Sequence, residues 1–598
     1  MLDRNTDTSK VFACTSCTRR KVRCDKAQPT CASCTRLKLD CQYEEPVAKK
    51  RKREPDTDKL EQYEQLLREH NLLDEAASKA APRATGRLIS TSGNHRYVES
   101  TLWRSFARPE ELAEDPEEPS TFFSSALLGV PQAQRDLTEH HPSQADTAVL
   151  WHLYKDRVDA VVKLLHIPTA ELLMAKTFFT KTEECLIFAI YSFAVSSLTE
   201  AECMQVLHQD RNHLVTLYRE CLNQALLNAD FLRTTNLQVA QALMLLLTMS
   251  RGRTDAQLFW ILVGVVIRIA QRMGLHRDGS LTGLNPFDTE MHRRLFWQLP
   301  ALEGFAAQFA GIGASSLDTL FWDTKKPLNI NDADIWPGMT EVPIERKGAT
   351  EMIFLLVRSC FSSFYKTFSA DLRTLESSQD EEHYKQVSAR IDGIEDLLES
   401  QYLRYCDPME PLHFCVSLMA RVALQASRFR LRMPWAKLGL LSAGEKEEYY
   451  KTGIEVLDRA IVTQTNPQVS KYHVHTNSFV LWDILIYCVT QAQHNKSADD
   501  PLWSRLAVLY KCQAHLLALK LPIAIALSKH VLRAWDAHKS DIPEPEYIAK
   551  IRASLGETTS FQELPVDPQI TMEDVQDFDW KFWEQLIRDP DSLAVGSL

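Results

Sequence analysis

Apolar residues recur at intervals of three and four over most of the stretch from about residue 146 to residue 535 of this 598-residue chain. This periodicity is typical of amphipathic helices that bury one face. Proline and glycine fall mainly between the periodic segments, where they are expected to end helices. The pattern predicts a mostly α protein with one large all-helical region. The predicted helices span residues 147–166, 170–197, 200–229, 237–251, 255–273, 289–299, 350–368, 379–405, 411–430, 443–465, 477–493 and 501–518.

The first 53 residues differ from the rest in charge and in cysteine content. They hold 14 of the 68 Lys and Arg residues but only 6 of the 79 Asp and Glu residues, although the whole chain has a formal charge of -11. Six of the 14 cysteines also lie in this stretch. A basic head on an acidic body indicates an anionic partner for the head alone.

Membrane insertion and secretion are not expected from the sequence. The first ten residues are polar, and the longest apolar runs, 185–198 and 258–267, are shorter than the ~18–20 residues of a membrane span. We therefore expect an intracellular protein in a reducing compartment, with no membrane partner. In that compartment the eight cysteines scattered beyond residue 41 should be buried, reduced thiols.

The six N-terminal cysteines form two copies of the pattern C-x2-C-x6-C, from Cys14 to Cys41. Each C-x2-C turn places two thiolates close enough to bind one soft cation, and zinc prefers four such ligands in a tetrahedron. Six thiolates could complete one zinc site with two left over, or two could bridge a pair of zinc ions. The twofold repetition favours the second arrangement. Three disulfides are disfavoured because nothing in the sequence leads to an oxidising compartment.

Four bases lie between the second and third cysteines: Arg19, Arg20, Lys21 and Arg23. A short helix that begins at the metal-bound turn would carry them into the major groove of DNA, where Arg and Lys donate to guanine O6 and N7. The remaining bases suit phosphates. Pro29 lies between the two copies, where it can set a tight turn.

The segment from Ala13 to Cys41 resembles the DNA-binding domain of fungal Zn2Cys6 binuclear-cluster transcription factors, with no departure in cysteine spacing. The resemblance implies that Arg20 and Lys21 read a CGG-type triplet of double-stranded DNA, while Arg19 and Arg23 touch phosphates. It implies two Zn²⁺ ions as cofactors. The implied ligands are a bridging pair, Cys14 and Cys31, then Cys17 and Cys24 on one ion and Cys34 and Cys41 on the other.

Two features that follow the cysteine module suit a nuclear regulator. The run Lys49, Lys50, Arg51, Lys52 and Arg53 fits a nuclear import signal or a phosphate-contacting arm, and we expect a nuclear protein. Residues 59–77 predict a helix with an apolar seam of barely two heptads. In the family a short coiled coil here joins two monomers, so a homodimer is expected, with a plain surface helix as the alternative.

Two segments of the helical body resemble the fungal-specific transcription-factor regulatory domain. One is 264–278, which reads GVVIRIAQRMGLHRD and should be a helix stopped by Gly274. The other is 290–297, which reads EMHRRLFW and should pair Glu290 with Arg294 at i, i+4. We expect a structural role for these motifs. Residues 322–335 also resemble a loop of regulators of secondary-metabolite gene clusters.

The acidic segment 573–587 alternates carboxylates with Phe578, Trp580, Phe582 and Trp583. Such a segment can stay solvated and dock into a coactivator groove, or it can pack on the body as a terminal helix. No nucleotide-binding, nucleophile-elbow or metalloprotease motif is present, so we expect no catalytic residues and no enzyme.

These observations predict a zinc-dependent, sequence-specific DNA-binding transcription factor. Two alternatives are a zinc-stabilised protein-interaction adapter without strong DNA specificity and a ligand-gated sensor. The expected organisation has five parts: residues 1–46, the DNA-binding domain; 47–80, a basic linker and short coiled coil; 81–145, a partly disordered acidic linker; 146–545, the helical regulatory domain; and 546–598, an acidic aromatic tail.

Overall fold

A computed structural model describes the cysteine module, a short hairpin and most of the helical body. The chain comprises two compact units, Met1–Ala84 and Thr85–Leu598. The described residues are 13–43, 87–91, 94–98, 134–311, 317, 321–477, 480–495, 500–517, 522–537 and 543–558. The predicted import signal at 49–53, the predicted helix at 59–77 and the acidic aromatic segment at 573–587 lie outside these residues.

The cysteine module contains two short helices, α1 (Thr15–Arg19) and α2 (Ala32–Leu37), each beginning directly after a cysteine. The two halves have the same backbone conformation. Lys21 follows α1 with φ 53°, and Lys38, seven residues after Cys31 as Lys21 is after Cys14, has φ 46°. The sequence repeat is therefore also a structural repeat. The Gln28–Pro29 peptide bond between the halves is cis.

A two-stranded antiparallel hairpin precedes the helical body. Strand β1 (Arg87–Thr91) pairs with β2 (Asn94–Val98), and Arg87 lies opposite Val98. The sequence analysis placed this stretch in a linker and did not predict the hairpin.

The described part of the helical body consists of consecutive helices, five 3-10 turns and one π-helical segment at Tyr154–Asp159, with a longer irregular segment at 321–352. Its described α-helices are α3 (Gln144–Leu153), α4 (Ala160–Val162), α5 (Ile167–Met174), α6 (Lys181–Ser196), α7 (Glu200–Leu207), α8 (Arg211–Asn228), α9 (Leu237–Ser250), α10 (Ala256–Arg272), α11 (Gly279–Thr282), α12 (Pro286–Phe296), α13 (Leu299–Ala310), α14 (Ile353–Ser378), α15 (Glu381–Gln401), α16 (Pro411–Lys437), α17 (Ala443–Thr465), α18 (His473–Thr476), α19 (Trp482–Asn495), α20 (Pro501–Cys512), α21 (Ala514–Leu517), α22 (Pro522–Ala537) and α23 (Glu546–Thr558).

Two predicted helices, 170–197 and 200–229, are each divided in the structure. The break in the first lies before Thr180, which accepts a hydrogen bond from the Glu183 N–H while the Glu183 carboxylate accepts from the Thr180 N–H. The break in the second lies before Asp210, which caps α8 through the His213 N–H. Side chains that cap a helix start satisfy backbone donors that a continuous helix would have used internally.

Helix α6 lies at the centre of the body. Twelve consecutive residues, from Cys185 to Ser196, are buried on all of its faces. It packs against α8 and α9, and a helix that is apolar on every face belongs in the interior of a large domain. None of the described helices combines the length and the apolar character that crossing a bilayer requires.

Pro300, which directly follows the predicted helix at 289–299, lies inside a helix rather than between two helices. Helix α12 ends at Phe296, and Pro300 is the second residue of the next helix, α13. Proline has no N–H to donate, and the first turn of a helix does not need one. The residue therefore begins a helix here rather than breaking one.

Candidate metal centre and nucleic-acid interface

The structure brings all six N-terminal cysteines together. The Sγ atom of Cys14 lies 3.8 Å from that of Cys31, 3.6 Å from that of Cys34 and 3.9 Å from that of Cys24. These separations match the edge of a tetrahedron with Zn–S bonds of about 2.3 Å, which is about 3.8 Å. They are far longer than the roughly 2.05 Å of a disulfide bond.

The thiols group into two overlapping quartets that share two members. Within each quartet the Sγ atoms all lie within 4.8 Å of one another, and Cys14 and Cys31 belong to both. The described residues thus offer eight coordination positions from six ligands, the number that two tetrahedral zinc ions need. The quartets are Cys14, Cys17, Cys24 and Cys31, and Cys14, Cys31, Cys34 and Cys41.

The interior of the described module is made of sulfur. Cys14, Cys17, Cys31 and Cys34 are 0–2% exposed, and only Cys24, Cys41 and Tyr43 pack against them. The module's own aliphatic side chains point outward, since Val22, Leu37 and Leu39 are 39–49% exposed. So small an apolar interior cannot offset the entropy of ordering the chain. Bound zinc would supply that free energy by cross-linking the two halves.

The thiols differ in acidity. The Cys17 N–H donates to Cys14 Sγ at 3.5 Å, and this hydrogen bond lowers the pKa of the Cys14 thiol to about 6. Removal from water raises the pKa of the Cys17 thiol to about 12 and raises the pKa of Cys31. Zinc binds thiolates, so metal binding would release protons from the group and would weaken in acid.

The four basic residues that the sequence singled out lie together at the end of α1, and all four side chains are exposed: Arg19, Arg20, Lys21 and Arg23. Lys21 occupies the left-handed backbone conformation that ends the helix, where its N–H donates to Thr18 O at 3.2 Å and the Val22 N–H donates to Cys17 O at 3.2 Å. This conformation costs a side-chain-bearing residue about 1 kcal/mol or more. Glycine usually occupies such a position. Lys21 therefore holds an exposed ammonium group at a backbone position that glycine would occupy at lower cost.

The second half of the module repeats the backbone but not the charge. Leu37 and Asp40 stand where the first half has Arg20 and Arg23, and Lys38 matches Lys21. The sequence analysis did not single out Lys38. Aligning the two cysteine repeats would have found it. The first half is consequently the more electropositive end of the module.

The module also contains fixed contacts between its halves. Ser16 Oγ donates to Asp40 O at 2.6 Å, the Thr15 N–H donates to Gln42 O at 3.0 Å, and Tyr43 Oη donates to Ala27 O at 2.9 Å. These bonds hold the end of the module against the start of α1. They orient the basic end of that helix relative to the sulfur group.

In the helical body the predicted pair forms, with Arg294 Nε 3.4 Å from Glu290 Oε1. Arg294 is fully buried and also donates from Nη1 to Asp332 Oδ1 at 2.7 Å. Asp332 in turn accepts from Lys163 Nζ at 2.9 Å and from the Ile167 N–H at 2.8 Å. The motif therefore fastens the loop around residue 332 to three helices, which is a structural role.

The role of Asp332, which lies within the loop 322–335, was not predicted from the sequence. Its carboxylate is 5% exposed, and the charges of Arg294 and Lys163 outweigh desolvation and lower its pKa to about 2. No local pattern in the sequence marks this role, because the partners are 38 and 169 residues away. The predicted helix stop is confirmed, since Gly274 follows α10 with φ 76°. Phe296 and Trp297, at the end of the second motif, are buried.

The sulfur geometry and the exposed bases define a zinc-dependent DNA-binding module joined to a large helical body. Comparison with known proteins agrees. Residues 12–50 match the fungal Zn(2)-Cys(6) binuclear cluster domain, and residues 154–377 match the fungal specific transcription factor domain. The chain belongs to the fungal Zn2Cys6 transcription factor family, whose members bind two zinc ions in this module and bind DNA through it.

Several curated relatives share most of the chain. The pyriculol/pyriculariol biosynthesis cluster transcription factor 1 of Pyricularia oryzae is 32% identical over 513 residues, covering 77% of this chain and 68% of the relative. The aurofusarin cluster transcription factor aurR2 of Gibberella zeae is 30% identical over 483 residues, covering 77% and 72%. The transcriptional regulator nsrM of Aspergillus novofumigatus is 26% identical over 625 residues, covering 93% and 85%. The family consists of transcription factors, not enzymes.

Proposed function

We propose that the two cysteine quartets each hold one zinc ion and that Cys14 and Cys31 bridge the two. The observation that supports this is the sharing of these two thiols by both quartets. Each remaining pair then belongs to one ion. These pairs are Cys17 with Cys24, and Cys34 with Cys41.

We propose that the basic end of α1 reads a CGG-type triplet in the major groove. Arg20 and Lys21 are the base-reading residues, because they extend beyond the last turn of the helix and are exposed. Arg19 and Arg23 contact the flanking phosphates. The electropositive first half supports this orientation, since Asp40 in the second half would repel the DNA backbone.

We infer that the protein acts in the nucleus as a homodimer and regulates a secondary-metabolite gene cluster. Two of the relatives are named as transcription factors of such clusters, which supports this role for the chain. The import signal is Lys49, Lys50, Arg51, Lys52 and Arg53, residues 59–77 join the monomers, and the segment 573–587 recruits a coactivator. The proposal keeps the five-part organisation of the chain, with domain boundaries after residues 46, 80, 145 and 545.

The test is binding-site selection with the full chain, followed by titration of single and paired CGG half-sites at fixed salt. We expect enrichment of CGG and tighter binding to paired half-sites. The Lys21→Gln variant should lose about 1–3 kcal/mol of specific binding and relax guanine preference.

Lys38→Gln is the matched control, because Lys38 has the same charge and backbone conformation in the other half. It should keep the sequence preference and lose at most a phosphate contact, which lowers the salt slope by about 1. Equal losses in both variants, with no change in preferred sequence, would remove Lys21 from the reading role. Single half-sites bound as tightly as pairs would exclude the dimer.

A further inference from the structure

Two arginines lie close together inside the helical body. Arg251 directly follows α9, and Arg358 lies near the start of α14. Burial lowers the pKa of Arg251 to about 10. Burial and then the positive charge of Arg251 lower the pKa of Arg358 to about 9. Both residues keep some accessible surface and are half-buried overall.

Neither arginine has an anionic partner among the described residues. Arg251 Nε donates to Thr248 O at 3.1 Å, and Arg358 Nη2 donates to Gln298 Oε1. Both acceptors are neutral. Arg358 Nε is buried with no hydrogen-bond partner. In the described part of the chain no carboxylate oxygen lies within 4.0 Å of either guanidinium group.

Other arginines of the same helical body, by contrast, are buried together with an acidic partner. Arg293 makes a bidentate pair with Asp278, with both nitrogen–oxygen distances 2.8 Å, and Arg294 lies 2.7 Å from an oxygen of Asp332. A buried cation without a partner is strongly destabilising, because it has lost its hydration and gained no opposing charge. Two adjacent ones add mutual repulsion. The pair Arg251 and Arg358 therefore has the charge of a site whose anion is not supplied by the described residues.

The surroundings of the pair indicate which anion would fit. The Arg251 guanidinium lies 5.9 Å from the ring centre of Phe305. His475 lies near both arginines. Its pKa is lowered to about 3 by burial and then by the charges of Arg251 and Arg358, so its imidazole is neutral at physiological pH. The His475 ring packs on Phe193 with centroids 5.4 Å apart. Aromatic rings beside two cations suit a ligand with an apolar ring and one acidic group.

We propose that Arg251 and Arg358 form a binding site for a small aromatic carboxylate within the helical body. A guanidinium group presents a planar pair of donors that matches the two oxygens of a carboxylate, and Arg358 Nε and the Nη atoms of Arg251 have donors to spare. The site is far in sequence from the cysteine module, and its ligand binding does not depend on how the module reads DNA.

The test measures the thermal unfolding of the zinc-loaded full chain at constant ionic strength with 1-naphthoate, with its neutral isostere 1-naphthamide, and with inorganic phosphate. Ligand that binds only the folded state raises the melting temperature in a saturable way. We expect this rise with 1-naphthoate and not with 1-naphthamide. An equal rise with both compounds overturns the proposal, and a rise with phosphate alone overturns the aromatic carboxylate in favour of an inorganic anion.

The variants Arg358→Gln and Arg251→Gln should each weaken 1-naphthoate binding at least tenfold. Without ligand they should melt no lower than the native chain, because each removes a buried charge. Arg219→Gln, on the exposed side of α8, is the control and should bind as the native chain does. Unchanged affinity in both variants contradicts the proposal.

Discussion

Replacing Asp332 by Asn should destabilise the helical body far more than the same change two residues away. The substitution keeps the shape of the side chain and removes its charge. In the native protein the Asp332 carboxylate accepts from Arg294 Nη1 at 2.7 Å, from Lys163 Nζ at 2.9 Å and from the Ile167 N–H at 2.8 Å. The side chains of Arg294 and Lys163 are 0% and 4% exposed.

The magnitude follows from what the two cations keep. Breaking a buried ion pair by removing one partner costs about 3–5 kcal/mol, because the remaining charge stays buried. Lys163 still has Asp159 at 3.0 Å and Glu351 at 2.9 Å, and Arg294 still has Glu290 at 3.4 Å. These remaining partners place the expected loss near the lower end, about 3 kcal/mol.

Asp334 provides the matched control. It pairs with Arg346 at 2.5 Å, but the Arg346 side chain is 51% exposed, and such a surface pair contributes about 0–1 kcal/mol. The assay is urea unfolding of both variants and the native chain, followed by tryptophan fluorescence, with midpoints compared at equal slope. Equal midpoint shifts for Asp332→Asn and Asp334→Asn would refute the reasoning from burial.

Further expectations concern the zinc ligands, Lys21 in its left-handed backbone conformation, the pH dependence of Asp332 and the acidic tail. Cys31→Ser should lower bound zinc below two per chain by elemental analysis, whereas Cys406→Ser, outside the sulfur group, should leave it at two. Lys21→Gly should melt no lower than the native module, since it relieves a conformational cost of about 1 kcal/mol, yet lose CGG preference in a binding titration. The Asp332 pKa falls from 3.8 to about 2 on folding, so its stabilisation is complete above about pH 4 and disappears as pH falls towards 2. Urea midpoints of native and Asp332→Asn chains should therefore converge over that range, and divergence would contradict the assignment. Removing residues 573–598 should lower reporter activation with DNA affinity within a few-fold of native, and insoluble protein instead would favour a packed terminal helix.

The sequence predicted the fold class and most helix positions because helical burial leaves a local period. Helix α17 spans 443–465 as predicted, and the predicted helix at 237–251 ends one residue later than α9. Helix breaks at Thr180 and Asp210 were missed. They depend on a capping side chain rather than on the apolar period, which continues across them.

The cysteine group was predictable, and the interior polar contacts were not. Ligand spacing in a metal module is local, so the spacing of the cysteines alone predicted that the six thiols lie together. By contrast, Lys163 and Asp332 are 169 residues apart, and Arg251 and Arg358 are 107 apart. Which charged groups meet inside a helical body depends on the packing of whole helices, and no local pattern reports it.

The sulfur interior of the cysteine module has an evolutionary consequence. Because thiols rather than aliphatic side chains fill its centre, almost every other position on the module is a surface position. Substitutions there can accumulate without opening a cavity or breaking a packed layer. Descendants of one ancestral module could thus acquire new promoter preferences by drift at a few outer residues, while the six cysteines preserved the scaffold.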